Sequence, residues 1–294
     1  MSQPETRAGA HAPAGAHATA QAGANAAQRW PEPDEVPDYA GLARLDGRVA
    51  LVAGAGSGIG RQVAHALAAW GARVACIDLD PDLAAKVARE VDGIPLVGDI
   101  TDEADVAGLT ADATAALGPP AIGVDIVGLA RYGRIVDSTL EDLAWSQEVT
   151  LRHAVLLTRE WGRAMSAAGG GSIVLIGSVS GMTAADNHAF YGMAKAAIIG
   201  FVKSAAMELG SDGVRVNVVS PGVTWTPRTA AAIGEGRGSW AAVSPLGRVA
   251  HPSDVASAVL YLVSDLARHV SGHNLVVDGG ASVRSPYSVR SDGL

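Results

Sequence analysis

The sequence predicts an α/β fold, a doubly wound sheet of about seven parallel strands with helices on both faces. Three observations predict it. From Arg48 onward, short β-branched and apolar runs alternate with helical stretches. The first run passes into its helix through a glycine-rich turn. The second run ends on an acid, Asp78.

The elements follow in order. "RVALVAG" reads as a buried strand, "AGSGIG" as the turn and "RQVAHALAAWG" as a helix stopped by Gly71. "RVACIDLD" is the second strand, which makes a parallel pair with a right-handed crossover. Then come strand "IPLVGDI", helix "DEADVAGLTADATAALG", strand "AIGVDIVG" and the long helix "LEDLAWSQEVTLRHAVLLTREWGRAM". Strand "SIVLIGS" leads to helix "AFYGMAKAAIIGFVKSAAMELG", and strand "VRVNVVSPG" to helix "PSDVASAVLYLVSD". "HNLVVDGG" closes the series. Ligands of such sheets sit beyond the strand C-terminal ends, where Asp78, Asp99, Ser178 and Pro221 all fall.

Gly54, Gly58 and Gly60 are spaced G-x-x-x-G-x-G, with Gly56 between them. A turn without Cβ atoms lets backbone N–H groups approach a pyrophosphate at a helix N-terminus. Tight packing explains such glycines equally well when nothing else accompanies them. Asp78 accompanies them, where an acid binds a ribose 2′-hydroxyl and repels a 2′-phosphate. The turn carries Ser57 where a basic residue would grip that phosphate, so NAD(H) is expected over NADP(H). Capping the next helix is the alternative role for Asp78, and Asp80 is better placed for it.

Composition bounds the remaining classes. The chain has 294 residues, 48% of them hydrophobic and 18% charged, with a net charge of -8. An acidic chain without a basic cluster is a poor partner for nucleic acid or an anionic membrane. No apolar run approaches the ~20 residues of a membrane span. The single cysteine, Cys76, leaves no intrachain disulfide or cysteine zinc site and suits a reducing cytoplasm. Residues 1–45 are Ala/Gly/His low-complexity sequence and a Pro-rich connector, read as a disordered extension. His11 and His17 there lack a third ligand, so no metal is expected. Residues 46–282 form the one expected domain, and 283–294 a tail.

Within "AFYGMAKAA", Tyr191 and Lys195 stand one helical turn apart, with Ser178 thirteen residues upstream of the tyrosine. A surface helix would pair its lysine with an acid, and a core helix would avoid lysine. The glycine turn, Asp78, "GDIT" around Asp99, Ser178, "YGMAK", "VRVNVVSPGVTWTP" and "VDGG" together resemble the short-chain dehydrogenase/reductase family over about Leu45 to Gly280. "PGVTWTP" and "PLGR" are similar to bacterial NAD-dependent hydroxysteroid dehydrogenases.

The resemblance implies a single Rossmann-type domain that moves a hydride between NAD and a small-molecule alcohol or ketone. Tyr191 would be the general acid/base, Ser178 would orient the substrate oxygen, and Lys195 would hold the nicotinamide ribose and favour the phenolate. Thr226 would meet the nicotinamide carboxamide and Asp99 the adenine side. Ile59, Ile100, Pro221, Gly222 and Val223 would complete the cofactor site. The segment after Thr226, glycine-rich and aperiodic, would close over substrate. Helices pairing across a two-fold axis would make a homo-oligomer, a tetramer.

Three positions depart from the family. They are the fourth strand end, where Asp125, Ile126 and Val127 stand before Gly128 in place of Asn-Asn-Ala; Thr150, in place of an asparagine that holds a relay water; and Ala53, in place of a threonine. Thr150 keeps a hydroxyl that could hold the water. Two other readings stay open: an NADPH-dependent 3-oxoacyl carrier-protein reductase, and a catalytically silent NAD-binding regulator.

Overall fold

The computed structural model describes residues 32–233 and 237–284. The expected N-terminal extension up to residue 31 and the tail from residue 285 lie outside the described residues. Residues 32–38 belong to a unit separate from the compact body that begins at Tyr39.

The body is built on one sheet of seven parallel strands in the order β3-β2-β1-β4-β5-β6-β7. They are β1 (Val49–Ala53), β2 (Arg73–Asp78), β3 (Ile94–Val97), β4 (Pro120–Asp125), β5 (Gly171–Ile176), β6 (Val214–Pro221) and β7 (Asn274–Val277). The chain winds outward from β1 to β3, then returns to the other side of β1 with β4. That reversal is the switch point beyond which a ligand crevice opens.

β1, "VALVA", is buried along its whole length, as a central strand covered on both faces must be. Ala50 and Val52 point into one apolar layer with Val63, Leu67, Val255 and Val259. Leu51 and Ala53 point into the opposite layer with Leu157, Trp161 and Ile198. The first layer is covered by α2 (Gly58–Ala69) and α10 (Pro252–Val263). The second is covered by α4 (Glu103–Leu117), α6 (His153–Ala168) and α7 (Ala189–Leu209). The indole of Trp161 lies so close over β4 that a Cβ on Gly123 would come within 2.3 Å of it.

Helix starts are set by local chemistry. Asp80 caps α3 (Pro81–Glu90), accepting from Asp82 N and Leu83 N, so Asp78 is free of that role. Asp102 caps α4 in the same way. Thr139 and Asp142 form a capping box on α5 (Leu140–Gln147).

Three features depart from the expectation. The long helix after β4 is interrupted: between α5 and α6 the turns widen to a π-helix over Glu148–Arg152, with Thr150 inside it. Hydrophobic period alone does not reveal such a bulge. The aperiodic segment after Thr226 contains two short helices, α8 (Pro227–Ile233) and α9 (Arg237–Ala241). The ordered body also starts before residue 46. Helix α1 (Tyr39–Ala43) leads to Leu45, which is fully buried and donates its N–H to Trp70 O at 2.8 Å.

Among the described residues no helix is long and apolar enough to cross a membrane. Nor do three or more His, Cys, Asp or Glu gather there as a metal site.

Candidate active site

β5 ends at Ile176, and Ser178 begins a short 3-10 turn over Val179–Gly181, its hydroxyl accepting from Ser180 N at 3.1 Å. α7 then starts at Ala189 and carries Tyr191 and Lys195 down one face toward the strand end. The Ser178 hydroxyl lies near enough to the Tyr191 phenol to lower its pKa. Lys195 is fully buried, and its Nζ donates to Ile176 O at 2.6 Å and to Val127 O at 3.4 Å. Nζ lies 5.8 Å from the centre of the Tyr191 ring.

These contacts revise the expected electrostatics. Burial raises the Tyr191 pKa above the ordinary phenol value, and the nearby Tyr132 adds to the rise. The opposing influences are the Ser178 hydroxyl and the positive charge of Arg228. Burial brings Lys195 itself down to about 8, against the pull of the Asp125 carboxylate. Arg228 pushes it lower still.

Thr150 is completely buried on the π turn. Its hydroxyl donates to Leu129 O at 2.9 Å and lies 3.3 Å from Leu129 N, which donates back to it. The proton that a relay water would need is directed at that carbonyl. The residue fastens the loop after β4, and that loop passes close to Lys195: a Cβ on Gly128 would stand 2.7 Å from Nζ. The departure at Asp125 has a partner as well. Asp125 accepts from Val127 N at 3.1 Å and meets His153 Nδ1 at 2.7 Å, both side chains being buried.

The glycine turn fits a dinucleotide. Gly54 holds φ +79°, and a Cβ on Gly60 would fall 1.9 Å from Gly54 O, so the turn is tight at both points. Ser57 precedes α2 in an extended conformation without a side-chain cap, which leaves the first turn of the helix to an anion. A carboxylate oxygen of Asp78 accepts from Gly56 N at 2.8 Å, placing the acid against the turn. Asp99 lies exposed beyond β3, and Ile100 beside it is buried. Ile59 packs on the core from the first turn of α2. On the far side of the turn, a Cβ on Gly58 would be 3.3 Å from Thr226, so Thr226 and the glycine turn flank one crevice. The Thr226 and Thr229 hydroxyls lie 3.0 Å apart, and Thr229 Oγ1 donates to Thr224 O at 2.5 Å, which fixes the start of α8. Pro221 ends β6 opposite Val277, Gly222 N donates to Val277 O, and Val223 O accepts from Ala250 N.

The family model described as Enoyl-(Acyl carrier protein) reductase matches residues 54–282, which span the glycine turn, the Ser178–Tyr191–Lys195 cluster and β7. The chain is 38% identical over 248 residues to D-threitol dehydrogenase of Mycolicibacterium smegmatis, covering 82% of this chain and 95% of that protein. The chain belongs to the short-chain dehydrogenase/reductase family. It is likewise 36% identical to galactitol 2-dehydrogenase (L-tagatose-forming) of Cereibacter sphaeroides, over 84% of this chain and 99% of that one. Among solved structures, a 7 alpha-hydroxysteroid dehydrogenase complexed with NADH and 7-oxo glycochenodeoxycholic acid superposes with a TM-score of 0.78. It is 30% identical and covers 83% of this chain and 98% of that chain. This chain is therefore an oxidoreductase of a family that uses nicotinamide cofactors.

In this short-chain dehydrogenase/reductase Ser178 and Lys195 meet at the end of β5, Asp78 and Thr226 flank the glycine turn, and Thr150 fastens the loop after β4. Sequence reasoning missed Arg228, His188 and the Asp125–His153 pair. Arg228 donates to Gly128 O at 3.2 Å. The His188 ring lies between Tyr132 and Tyr191, with ring centres 4.7 and 5.4 Å away. The available signals were the position of Arg228 two residues after Thr226 and the three-residue spacing of His188 from Tyr191. A cavity of about 400 Å³ is lined by Val223, Trp240, Arg248, Asp254 and Asp278, and none of Ser178, Tyr191 and Lys195 borders it.

Proposed function

We propose that this protein is an NAD(H)-dependent dehydrogenase that interconverts a secondary alcohol and its ketone, with Tyr191 as general acid/base. The observation that carries the reading is the buried Lys195 at the end of β5, 5.8 Å from the centre of the Tyr191 ring, with Ser178 opening the next turn of the chain. When bound, the nicotinamide supplies or accepts the hydride. The chain's own residues handle the proton and the geometry. Ser178 orients the substrate oxygen. Tyr191 gives that oxygen a proton during reduction and takes one during oxidation. Its burial keeps the phenol protonated in the free protein, the form needed for the reductive direction, and the positive charge of Arg228 limits how far the pKa rises.

NAD is favoured over NADP by Asp78, whose carboxylate would meet a 2′-phosphate with like charge. Arg61, the basic residue of the first turn of α2, is held by Glu90 at 2.7 Å. The α7 face that carries Met193, Ala197, Gly200, Ser204 and Met207 is exposed and mostly small or apolar, which supports a homo-oligomer with α7 at a two-fold contact. The buried Cys76 thiol, whose pKa burial raises to about 12, suits a cytoplasmic setting.

A turnover assay with NAD and NADP over polyols, hydroxy acids, cyclic alcohols and hydroxysteroids tests the proposal. Oxidation with NAD supports it. Better kinetics with NADP(H) on 3-oxoacyl thioesters would favour the carrier-protein reductase. Coenzyme binding without turnover would favour the silent regulator.

A further inference from the structure

We infer that Arg228 selects a substrate that carries a carboxylate, so that the alcohol oxidised is a hydroxy acid and the ketone reduced an oxo acid. The inference rests on the dehydrogenase reading above and adds the substrate class. It starts from the charge inventory of the site. Lys195 is fully buried. The carboxylate nearest to it in effect, Asp125, already accepts from Val127 N and faces His153 Nδ1. Arg228 adds a second positive charge, felt by both Tyr191 and Lys195.

Other arginines of the chain have acids to pair with. Arg61 meets Glu90, Arg131 meets Asp142 and Arg248 meets Asp254. Among the described residues, Arg228 has no carboxylate within ion-pairing distance, and its hydrogen bond is a single one, to the neutral Gly128 carbonyl. A guanidinium carries five N–H donors in a planar fork, so most of its donors remain open. That fork matches a carboxylate in two parallel hydrogen bonds. A bound oxidised nicotinamide would add a third positive charge to the same crevice. A substrate carboxylate would offset it, whereas a neutral alcohol would not.

The opposite wall suits a compact apolar body. His188 lies between Tyr132 and Tyr191, its ring tilted by 38° and 36° to theirs. The site thus offers tilted aromatic rings and an open guanidinium near the Tyr191 phenol.

Calorimetric titration of the protein with saturating NAD reads the inference without requiring turnover. The probes are butyrate, cyclohexanecarboxylate and benzoate, each against its primary amide, which is similar in shape but neutral. Wild-type protein should bind at least one acid tenfold or more tighter than its amide. Arg228→Gln should bring that ratio close to one, and Arg228→Lys should restore only part of it. Arg268→Gln removes one positive charge elsewhere and should leave the ratio intact. Equal affinity for acid and amide, no binding of any acid, or a preference that survives Arg228→Gln would each overturn the inference. A protein that prefers the acid through Arg228 yet oxidises no alcohol would instead overturn the dehydrogenase reading and leave the carboxylate site standing.

Discussion

Lys195 Nζ donates to the Ile176 carbonyl at 2.6 Å and stands 5.8 Å from the centre of the Tyr191 ring, so its charge is anchored at the end of β5 beside the phenol. The ammonium is buried where a hydrocarbon would ordinarily sit. Its hydrogen bonds to Ile176 O and Val127 O pin the C-terminal ends of β5 and β4 to α7. In the free protein Lys195 is thus a structural clamp across the crevice.

That burial has a pH signature. The folded chain holds the Lys195 pKa at about 8, below the ordinary 10.5. Between those values the folded state has released the proton and the unfolded state has kept it. Stability attributable to this group is therefore lowest below pH 8 and rises as the pH climbs through that window. The melting temperature of wild type minus that of Lys195→Met should increase from pH 7 to pH 9.5. A difference that stays flat would show that the ammonium is not desolvated.

Thr150 gives a second test, since its hydroxyl is committed to Leu129. Thr150→Val keeps the shape but leaves the N–H and C=O of Leu129 unpaired, at a cost of about 1–3 kcal/mol. Melting temperature and kcat should fall together, while Thr150→Ser should retain both. If Thr150→Val slows turnover at unchanged melting temperature, the hydroxyl handles a proton and does not fasten the loop.

Coenzyme choice turns on charge at Asp78. NAD(H) should be preferred by at least about tenfold, on the order of 1.4 kcal/mol. Asp78→Asn keeps an acceptor for Gly56 N and removes the repulsion, so the gap should narrow without collapse of the turn. Equal kinetics with both coenzymes in wild type would contradict the role given to Asp78.

The fold was largely legible because its strands are buried on both faces and read as unbroken apolar runs, "VALVA" most plainly. Helix caps were legible where an acid immediately precedes the helix, so Asp80 could be separated from Asp78. What the sequence hid depends on distant backbone. Nothing in "YGMAK" says that Lys195 will turn toward carbonyls at Ile176 and Val127. Nothing in "SQEVTLRH" says that the helix widens to aim Thr150 at Leu129. Arg228 stood in view after "TWTP", but its influence on Tyr191 arises only when α8 folds back over the end of β4. The Asp125–His153 pair joins one departure from the family pattern, Asp125, to a histidine whose role shows only when β4 and α6 are packed together.

The N-terminal boundary separates two truncations that differ by eight residues. A chain beginning at Tyr39 should keep the melting temperature and activity of the whole, because it retains α1 and Leu45. A chain beginning at Gly47 loses Leu45, a fully buried side chain of the kind whose burial contributes about 1.5–3 kcal/mol. Its melting temperature should drop by several degrees. Equal stability of the two would mean that Leu45 contributes nothing to the core.

The central claim is that Tyr191 moves the proton, and Tyr191→Phe tests it most directly. The substitution keeps the ring beside His188 and removes the phenol hydroxyl. The measurement is kcat of the purified variant with NAD and the best alcohol found for wild type, alongside the affinity for NAD. The account predicts a loss in kcat of about 10²-fold or more with NAD affinity nearly unchanged. Full activity in Tyr191→Phe would contradict it.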